Sequence, residues 1–93
     1  MKAEYDVCWA DSATQELTAG YLAARGAGWA NAVTQTVVEA EQLLSRRPRD
    51  VGESRNGLFR ILCLPPLVFE YYIIEDDKRV YITGLRFAPP HWE

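Results

Sequence analysis

The sequence predicts an α+β fold with the order β-α-α-β-β-β, in which a helical hairpin packs on one face of an antiparallel sheet. Three observations predict it. A stripe of apolar residues at helical spacing fills the middle of the chain, and three strand-like segments follow with very short connections. The 93 residues are 48% apolar and 25% charged, a composition typical of a small globular domain. We therefore expect residues 1–93 to form a single domain.

The first strand and the first helix are predicted in the opening quarter of the chain. Apolar and polar side chains alternate over residues 5–9, which is typical of a short strand. Ser12 and Gln15 have the spacing of a capping box, with Ser12 at the N-cap. We expect the first helix to run over residues 14–24 and to end at the two glycines of residues 25–28.

The second helix carries the most regular pattern in the chain. Its apolar stripe consists of Trp29, Val33, Val37, Ala40, Leu43 and Leu44. The helix is expected to stop before Pro48, because proline disfavours helical geometry at the residue before it. Two helices with so short a connection form an antiparallel hairpin, and we expect the stripe to face the sheet.

A polar segment over residues 46–56 is predicted to be a loop, and three strands are predicted after it. The strands cover residues 58–64, Leu67–Ile74 and Arg79–Phe87. A Pro-Pro turn and an acidic turn separate them, and connections this short enforce antiparallel pairing. The tail over residues 88–93 cannot extend the ladder, because its two prolines lack N–H donors.

The middle strand has two largely apolar faces. One face holds Leu67, Phe69, Tyr71 and Ile73, and the other holds Val68, Glu70, Tyr72 and Ile74. Only one face can pack on the helices. We therefore expect either the uncovered sheet face or the groove beside the hairpin to bind a partner chain.

Composition excludes several classes of protein. The net charge of −3 and a sequence pI near 5.1 argue against binding nucleic acid by bulk electrostatics, although residues 46–60 concentrate five basic and two acidic side chains. Cys8 and Cys63 lie far apart with no further cysteine, so neither a zinc site nor a disulfide framework is predicted, and we expect both thiols to be buried. No stretch is long and apolar enough for a membrane span or a signal peptide, which favours a cytoplasmic protein.

Several short motifs together resemble the RelE/ParE family of toxins from bacterial toxin–antitoxin modules. Pro48 ends the second helix, and residues 54–62 look like the family's "L-x-G-x-x-R-I" entry into the meander. Leu67-Val68-Phe69, the acidic turn at residues 75–77 and the last strand closing on Arg86 are similar too. The resemblance covers nearly the whole chain. It implies a toxin that is bound and neutralised by an antitoxin, in one branch cleaving ribosome-bound mRNA and in the other inhibiting DNA gyrase.

The resemblance also suggests catalytic candidates. Arg60 and Arg86 match basic residues that nuclease members carry on the first and last meander strands, where they would stabilise phosphorane charge. The chain departs from the nuclease pattern in two places: Pro66 stands where those members have an arginine, and Ala88 stands where they have a histidine or tyrosine. His91, the sole histidine, follows a few residues later and is the third candidate, as an acid or base.

Binding candidates are Trp92 and the basic cluster of Arg46, Arg47 and Arg49. Each has a structural alternative. The arginines would complement the negative C-terminal end of the second helix, and Trp92 would cover the open sheet face or await a partner.

Three hypotheses remain open from the sequence. The leading one is a cofactor-free, metal-free toxin that acts on its target by binding and forms an oligomer with its antitoxin. The second is a ribosome-dependent mRNA endonuclease that uses Arg60, Arg86 and His91. The third is a degenerate, non-toxic interaction module of the same fold. An adjacent gene for an antitoxin-like protein is expected for a working module only.

Overall fold

Three helices and five strands follow one another in residues 4–54 and 59–88, the part of the chain that the computed structural model describes. Their bounds are β1 Asp6–Trp9, α1 Asp11–Gly26, α2 Ala30–Arg46, α3 Pro48–Val51, β2 Glu53–Ser54, β3 Phe59–Leu64, β4 Leu67–Ile74 and β5 Arg79–Phe87. The predicted fold class is confirmed: α1 and α2 form a hairpin that packs on the sheet. The bounds of β4 and β5 are those that the sequence predicts.

The five strands form one sheet in the order β1-β5-β4-β3-β2. β3, β4 and β5 form the expected antiparallel meander, while β1 pairs with β5 in parallel, with Val7 opposite Val80. The parallel pair is possible because the whole helical hairpin connects β1 to the meander. The β4–β5 ladder shifts register between Glu70 and Tyr71, so the sheet contains one irregularity near its centre.

α1 covers the edge of β5 that β1 leaves free. β1 pairs only as far as Ile82, and beyond it the Ser12 hydroxyl donates to the Thr83 carbonyl at 3.2 Å. The Leu85 N–H then donates to the Glu16 carboxylate at 2.8 Å. The predicted capping box is therefore wrong: α1 begins at Asp11 after an N-cap residue with no side-chain hydrogen bond, because the Ser12 hydroxyl bonds to the sheet instead.

The core lies between the hairpin and one sheet face, called here the covered face. Val33, Ala40 and Leu44 of α2 are buried there, and Trp29 and Val37 pack half-buried against the same cluster, so the predicted stripe is confirmed. The sheet contributes seven side chains to this core: Leu62, Leu67, Phe69, Tyr71, Val80, Ile82 and Leu85. Removing this apolar area from water stabilises the fold. The opposite surface, called the open face, is bordered by α1 along β5, and no other helix of the described residues covers it.

Two further expectations from the sequence are wrong. The segment predicted as a loop contains the short helix α3 and the edge strand β2. The thiols are not buried: Cys63 is exposed and Cys8 is half-buried. Both cysteines lie on the open face, since Cys63 pairs with Val68 and Cys8 with Tyr81.

Candidate functional site

The α3 corner, formed by α3, Gly52 and the facing residues of β3 and β4, is closed by hydrogen bonds between its own groups. The buried Tyr71 hydroxyl donates to the Pro48 carbonyl at 2.7 Å. The Arg60 guanidinium donates to the Arg49 and Gly52 carbonyls, both at 2.7 Å, and its Nε donates to the Tyr71 hydroxyl at 3.4 Å. Burial raises the pKa of Tyr71 above its usual value of 10.0, and the nearby Arg60 offsets part of that rise.

Gly52 allows this corner to close. The Cβ of any side chain at position 52 would overlap the Tyr71 hydroxyl and would lie 2.9 Å from the Ile61 carbonyl oxygen. Both groups are held by the sheet, so neither can move aside cheaply. The corner is a packed structural element rather than an opening for a ligand.

A charged cluster lies on the outer rim of the α3 corner, around Glu75. The Glu75 carboxylate accepts hydrogen bonds from the Tyr5 hydroxyl at 3.0 Å and from Arg49 Nε, with Lys78 Nζ at 3.8 Å. Partial burial acts to raise the pKa of Glu75. The hydrogen bonds from Tyr5 and Arg49, with the charges of Arg49 and Lys78, outweigh it, and the pKa lies below its ordinary value. Arg49 is therefore engaged within the fold.

The two arginines predicted as catalytic lie on opposite faces of the sheet. Arg60 pairs with Tyr71 on the covered face, whereas Arg86 pairs with Val68 on the open face. Residues 68 and 71 of one strand point to opposite sides, because side chains alternate along it. The structure does not bring Arg60 and Arg86 together, and Arg60 directs three hydrogen bonds into the α3 corner.

Arg86 is exposed between two grooves of the open face, and carboxylates line both. The first groove, about 420 Å³, also contains Glu16, Glu70 and the backbone of Gly84. The second, about 430 Å³, contains Glu53. Among the described residues, Glu16 and Glu70 line the first groove together with Arg86, and their negative charges disfavour a polyanion there because they repel phosphate.

The other end of the open face is aromatic. Phe59, Tyr72 and Tyr81 occupy one row across three strands, with the Phe59 and Tyr72 rings 5.8 Å apart. Tyr72 is 38% exposed. Beside this row lies Arg79, and the nearby Tyr81 raises the pKa of its guanidinium above the ordinary value.

The two most exposed large apolar side chains of the described residues, Leu22 and Val38, lie on the helices, and α1 and α2 form the hairpin groove between them. This groove of about 350 Å³ is lined by Leu17, Thr18, Tyr21, Val33, Thr34, Val37 and Val38. Val38 is 51% exposed, and Leu22, next to Tyr21, is 56% exposed. Such exposure is unfavourable for an isolated chain and is typical of a surface that meets a partner.

A second, polar groove adjoins the hairpin groove at Val38, which lines both. It is formed by Glu4, Glu41, Gln42, Ser45 and Arg46 and is also about 350 Å³. Glu41 is half-buried, and one of its oxygens accepts a hydrogen bond from Trp9 Nε1 at 2.9 Å. The Trp9 ring packs edge-on against Phe69, which fixes Glu41 to the core through two contacts.

The remaining predicted site residues are dispersed. Arg46 and Arg47 are exposed at the C-terminal end of α2, and Arg46 lines the polar groove. His91 and Trp92 lie outside the described residues. Within residues 4–54 and 59–88, no group of three or more His, Cys, Asp and Glu side chains is placed to hold a metal ion. None of the helices described is long and apolar enough to cross a membrane.

Several residues of these surfaces were not singled out from the sequence. Leu22 and Val38 interrupt polar helix faces as single apolar residues, and an isolated exposed leucine or valine carries little signal. Their significance comes from the packing of α1 beside α2, which places Tyr21 and Val38 in one groove. The Glu75 cluster joins residues up to 70 positions apart and has no local pattern.

Comparison with known proteins identifies the fold. No protein-family model and no curated protein matches the sequence. Among solved structures, the chain is similar to one in the RelBE2 toxin–antitoxin complex of Mycobacterium tuberculosis, with a TM-score of 0.75, 20% identity and coverage of 97% of this chain and 98% of that one. It is also similar to the chromosomal ParDE toxin–antitoxin system of P. aeruginosa, with a TM-score of 0.70, 18% identity and coverage of 90% and 96%. The isolated RelE toxin of E. coli gives a TM-score of 0.59, 15% identity and coverage of 94% and 87%. The chain has the fold of the RelE/ParE toxins.

Proposed function

We propose that this chain is the cytoplasmic toxin component of a toxin–antitoxin module, and that an antitoxin segment bound in the hairpin groove holds it inactive. The observation that carries the proposal is the groove itself, which exposes Tyr21 and Val38 on a fold of RelE/ParE type. Two of the similar structures are toxin–antitoxin systems, which supports a partner of this kind.

We further propose that the toxin acts on its target by binding rather than by cutting RNA. RNA cleavage needs a group that takes a proton from the 2′-hydroxyl and cations that stabilise the phosphorane. Arg60 is engaged by backbone carbonyls, Arg86 has carboxylates around it, and arginine is a poor proton shuttle because it stays protonated. The carboxylates favour a protein target, such as DNA gyrase, over ribosome-bound mRNA.

The experiment is induced expression of the chain in a bacterial host, with and without the product of the gene next to it. We expect growth arrest that the neighbouring product relieves. If expression does not impair growth, the chain is a non-toxic interaction module. If growth stops and the neighbouring product does not relieve it, the assignment of an antitoxin partner is wrong.

A second arm of the experiment separates binding from cleavage. The purified chain is incubated with ribosomes and mRNA, and the ends of the mRNA are mapped. We expect no new ends. Ribosome-dependent cuts that disappear in Arg86→Ala, while the variant unfolds at the same denaturant concentration as the parent, would establish the nuclease function in place of the binding function.

A further inference from the structure

The first groove of the open face lies between α1 and the sheet and has small or apolar residues along its length. α1 contributes Ala19, Gly20 and Ala23, and the sheet contributes Val68 and Phe87. At Gly20, α1 lies so close to β5 that an added Cβ would contact Phe87 Cβ at 3.5 Å. The short side chains of α1 leave a space of about 420 Å³, a volume typical of a site that holds a ligand or a partner's side chain.

Two carboxylates meet in this groove over Gly84. Glu70 pairs with Gly84 in the β4–β5 ladder, next to the register shift. A Cβ on Gly84 would lie 2.8 Å from Glu70 Oε1 and 3.6 Å from Glu16 Oε1. Because Gly84 has no side chain, the Glu70 carboxylate can lie across β5 towards Glu16. The two carboxylates and the backbone of Gly84 are called here the Gly84 cradle.

The charges of the Gly84 cradle are not balanced within the described part of the chain. Glu16 Oε1 accepts a hydrogen bond from the Leu85 N–H at 2.8 Å, which holds this carboxylate at the edge of β5. Glu70 is half-buried, and among the described residues its carboxylate has no hydrogen-bond or ion-pair partner. Arg86 lines the same groove but forms no ion pair with either glutamate. Two neighbouring negative charges, one of them half-buried, favour a cation from another molecule.

The shape of the groove favours a guanidinium over an ammonium group. A guanidinium directs several coplanar N–H donors outwards and can bridge two carboxylates, whereas an ammonium group is a compact point charge. The apolar stem of an arginine also gains from contact with small apolar residues, which Ala19, Ala23 and Val68 provide in this groove. Charge and lining therefore both fit an arginine side chain.

We infer that the Gly84 cradle binds an arginine side chain of the protein target, an inference that rests on the proposed function. The guanidinium lies between Glu16 and Glu70, and the stem of the arginine lies along α1. The partner is a protein segment with an exposed arginine, because the same two carboxylates repel the phosphates of a nucleic acid.

The Gly84 cradle and the hairpin groove use different sides of α1. Ala19 and Ala23 line the first groove, whereas Thr18 and Tyr21 line the hairpin groove. The target and the antitoxin segment therefore contact separate surfaces. A variant of the cradle should lose the target and keep the antitoxin.

The first test uses small probes on the purified chain. The probes are N-acetyl-arginine amide, the corresponding lysine amide and the corresponding citrulline amide, which has the shape of arginine without its charge. Binding is followed by NMR through the backbone amide signals of Gly84 and Leu85, since the Leu85 N–H donates to Glu16. We expect arginine to shift both signals to saturation, lysine to bind more weakly and citrulline to leave them unchanged.

The contribution of Glu70 is measured with the same arginine probe. We expect Glu70→Gln to weaken its binding about three- to fivefold, the size expected of one partly exposed ion pair. Glu39→Gln is the matched control, because Glu39 is exposed on α2 and does not line the groove; it should leave the affinity unchanged.

The second test asks whether the target uses the cradle. Glu70→Arg places a guanidinium of the chain itself between the two strands and α1, and we expect it to abolish growth arrest on induced expression. The purified variant should still bind the product of the neighbouring gene as the parent does, which also shows that it is folded. Glu70→Gln should reduce growth arrest in the same direction, and Glu39→Arg should arrest growth as the parent does.

Four results would overturn the inference. They are the absence of a saturable shift with arginine, equal shifts with arginine and citrulline, full growth arrest by Glu70→Arg, and a loss of affinity for the neighbouring product in Glu70→Arg that Glu70→Gln shares. The last result would assign the cradle to the antitoxin. Because the NMR titration needs only the folded chain, it is independent of toxicity. Saturable arginine binding with no growth arrest by the parent would overturn the proposed function and keep the arginine site, and growth arrest relieved by the neighbouring product with any of these four results would overturn the inference alone.

Discussion

The α3 corner and the hairpin groove differ in where the partners of their side chains lie. In the α3 corner, Tyr71 and Arg60 direct their donors at backbone carbonyls of the same chain, and Gly52 leaves no free volume. In the hairpin groove, Tyr21 and Val38 present apolar atoms to solvent with nothing packed on them among the described residues. The corner contains Arg60, one of the two arginines that the family resemblance marks as catalytic, and the groove contains neither of them.

This difference separates residues that stabilise the fold from residues available to a partner. A guanidinium with two backbone carbonyl partners has few donors left for a phosphate, so its hydrogen bonds stabilise the fold. An apolar groove gains free energy only when a second molecule covers it. Function is therefore expected in the hairpin groove, where exposed apolar side chains lack a covering partner.

The largest effect is expected for Gly52→Ala in the α3 corner. The new Cβ overlaps the Tyr71 hydroxyl, and relief requires moving Tyr71 or the Ile61 carbonyl, so the variant should lose about 2–3 kcal/mol of unfolding free energy. Urea denaturation gives the value. Gly26→Ala is the matched control, because nothing lies within 4 Å of its added Cβ, and it should be neutral or slightly stabilising. Equal losses in the two variants would mean that the corner is not closed as described.

The next effect distinguishes Arg60 from Arg86. Arg60→Ala leaves the Arg49 and Gly52 carbonyls without their donor, and we expect a loss of about 1–2 kcal/mol. Arg86→Ala removes an exposed side chain and should change the unfolding free energy by less than about 0.5 kcal/mol. Denaturant titration of both variants measures the contrast. A stable Arg60→Ala variant that has lost a cellular activity would return Arg60 to the catalytic candidates.

The rim of the corner should respond to acid. The pKa of Glu75 is lowered in the folded chain, so its contribution to stability is complete above the ordinary value of 4.5 and disappears as the pH falls through the lowered pKa. We expect Glu75→Gln to unfold at lower urea than the parent near neutral pH, and the difference to shrink from about pH 6 to about pH 3. Arg49→Gln should act in the same direction. A difference that does not change with pH would contradict the assignment of the stabilisation to the Glu75 carboxylate.

The smallest effect on stability is expected in the groove. Val38→Asp places a charge at a half-exposed position, and the unfolding free energy should change by no more than about 0.5 kcal/mol. Chemical denaturation beside the parent measures it. A loss as large as that of Gly52→Ala would mean that Val38 belongs to the core and that the groove is not a free surface.

Local sequence patterns predict most of the fold, because each long helix or strand has a pattern of its own. The stripe through Val33 and Leu44 defines α2, and alternation defines β4 with both of its bounds. The start of α1 was predicted three residues late, because the hydroxyl that would cap the helix bonds to Thr83, about 70 residues away. α3 and β2 were missed because the corner, rather than local propensity, holds them in place.

The candidate site was less predictable than the fold. The strand position of Arg60 was predicted correctly, but its face depends on the register of β3 against Tyr71, which no local pattern contains. The basic cluster is visible in the sequence, whereas the engagement of Arg49 by Glu75 requires the turn after β4 to meet α3. Surfaces made by two elements, such as the hairpin groove, become visible only when the elements are packed.

The central claim is that the chain is neutralised through the hairpin groove, and the most direct test is the affinity of the neighbouring gene's product for three forms of the purified chain. These are the parent, Val38→Asp in the groove and Tyr72→Ser on the open face, each confirmed to unfold cooperatively. We predict that Val38→Asp weakens binding at least about tenfold, equal to roughly 1.4 kcal/mol, and that Tyr72→Ser binds as the parent does. Parent-like affinity in Val38→Asp together with a loss in Tyr72→Ser would place the partner on the open face and contradict the claim.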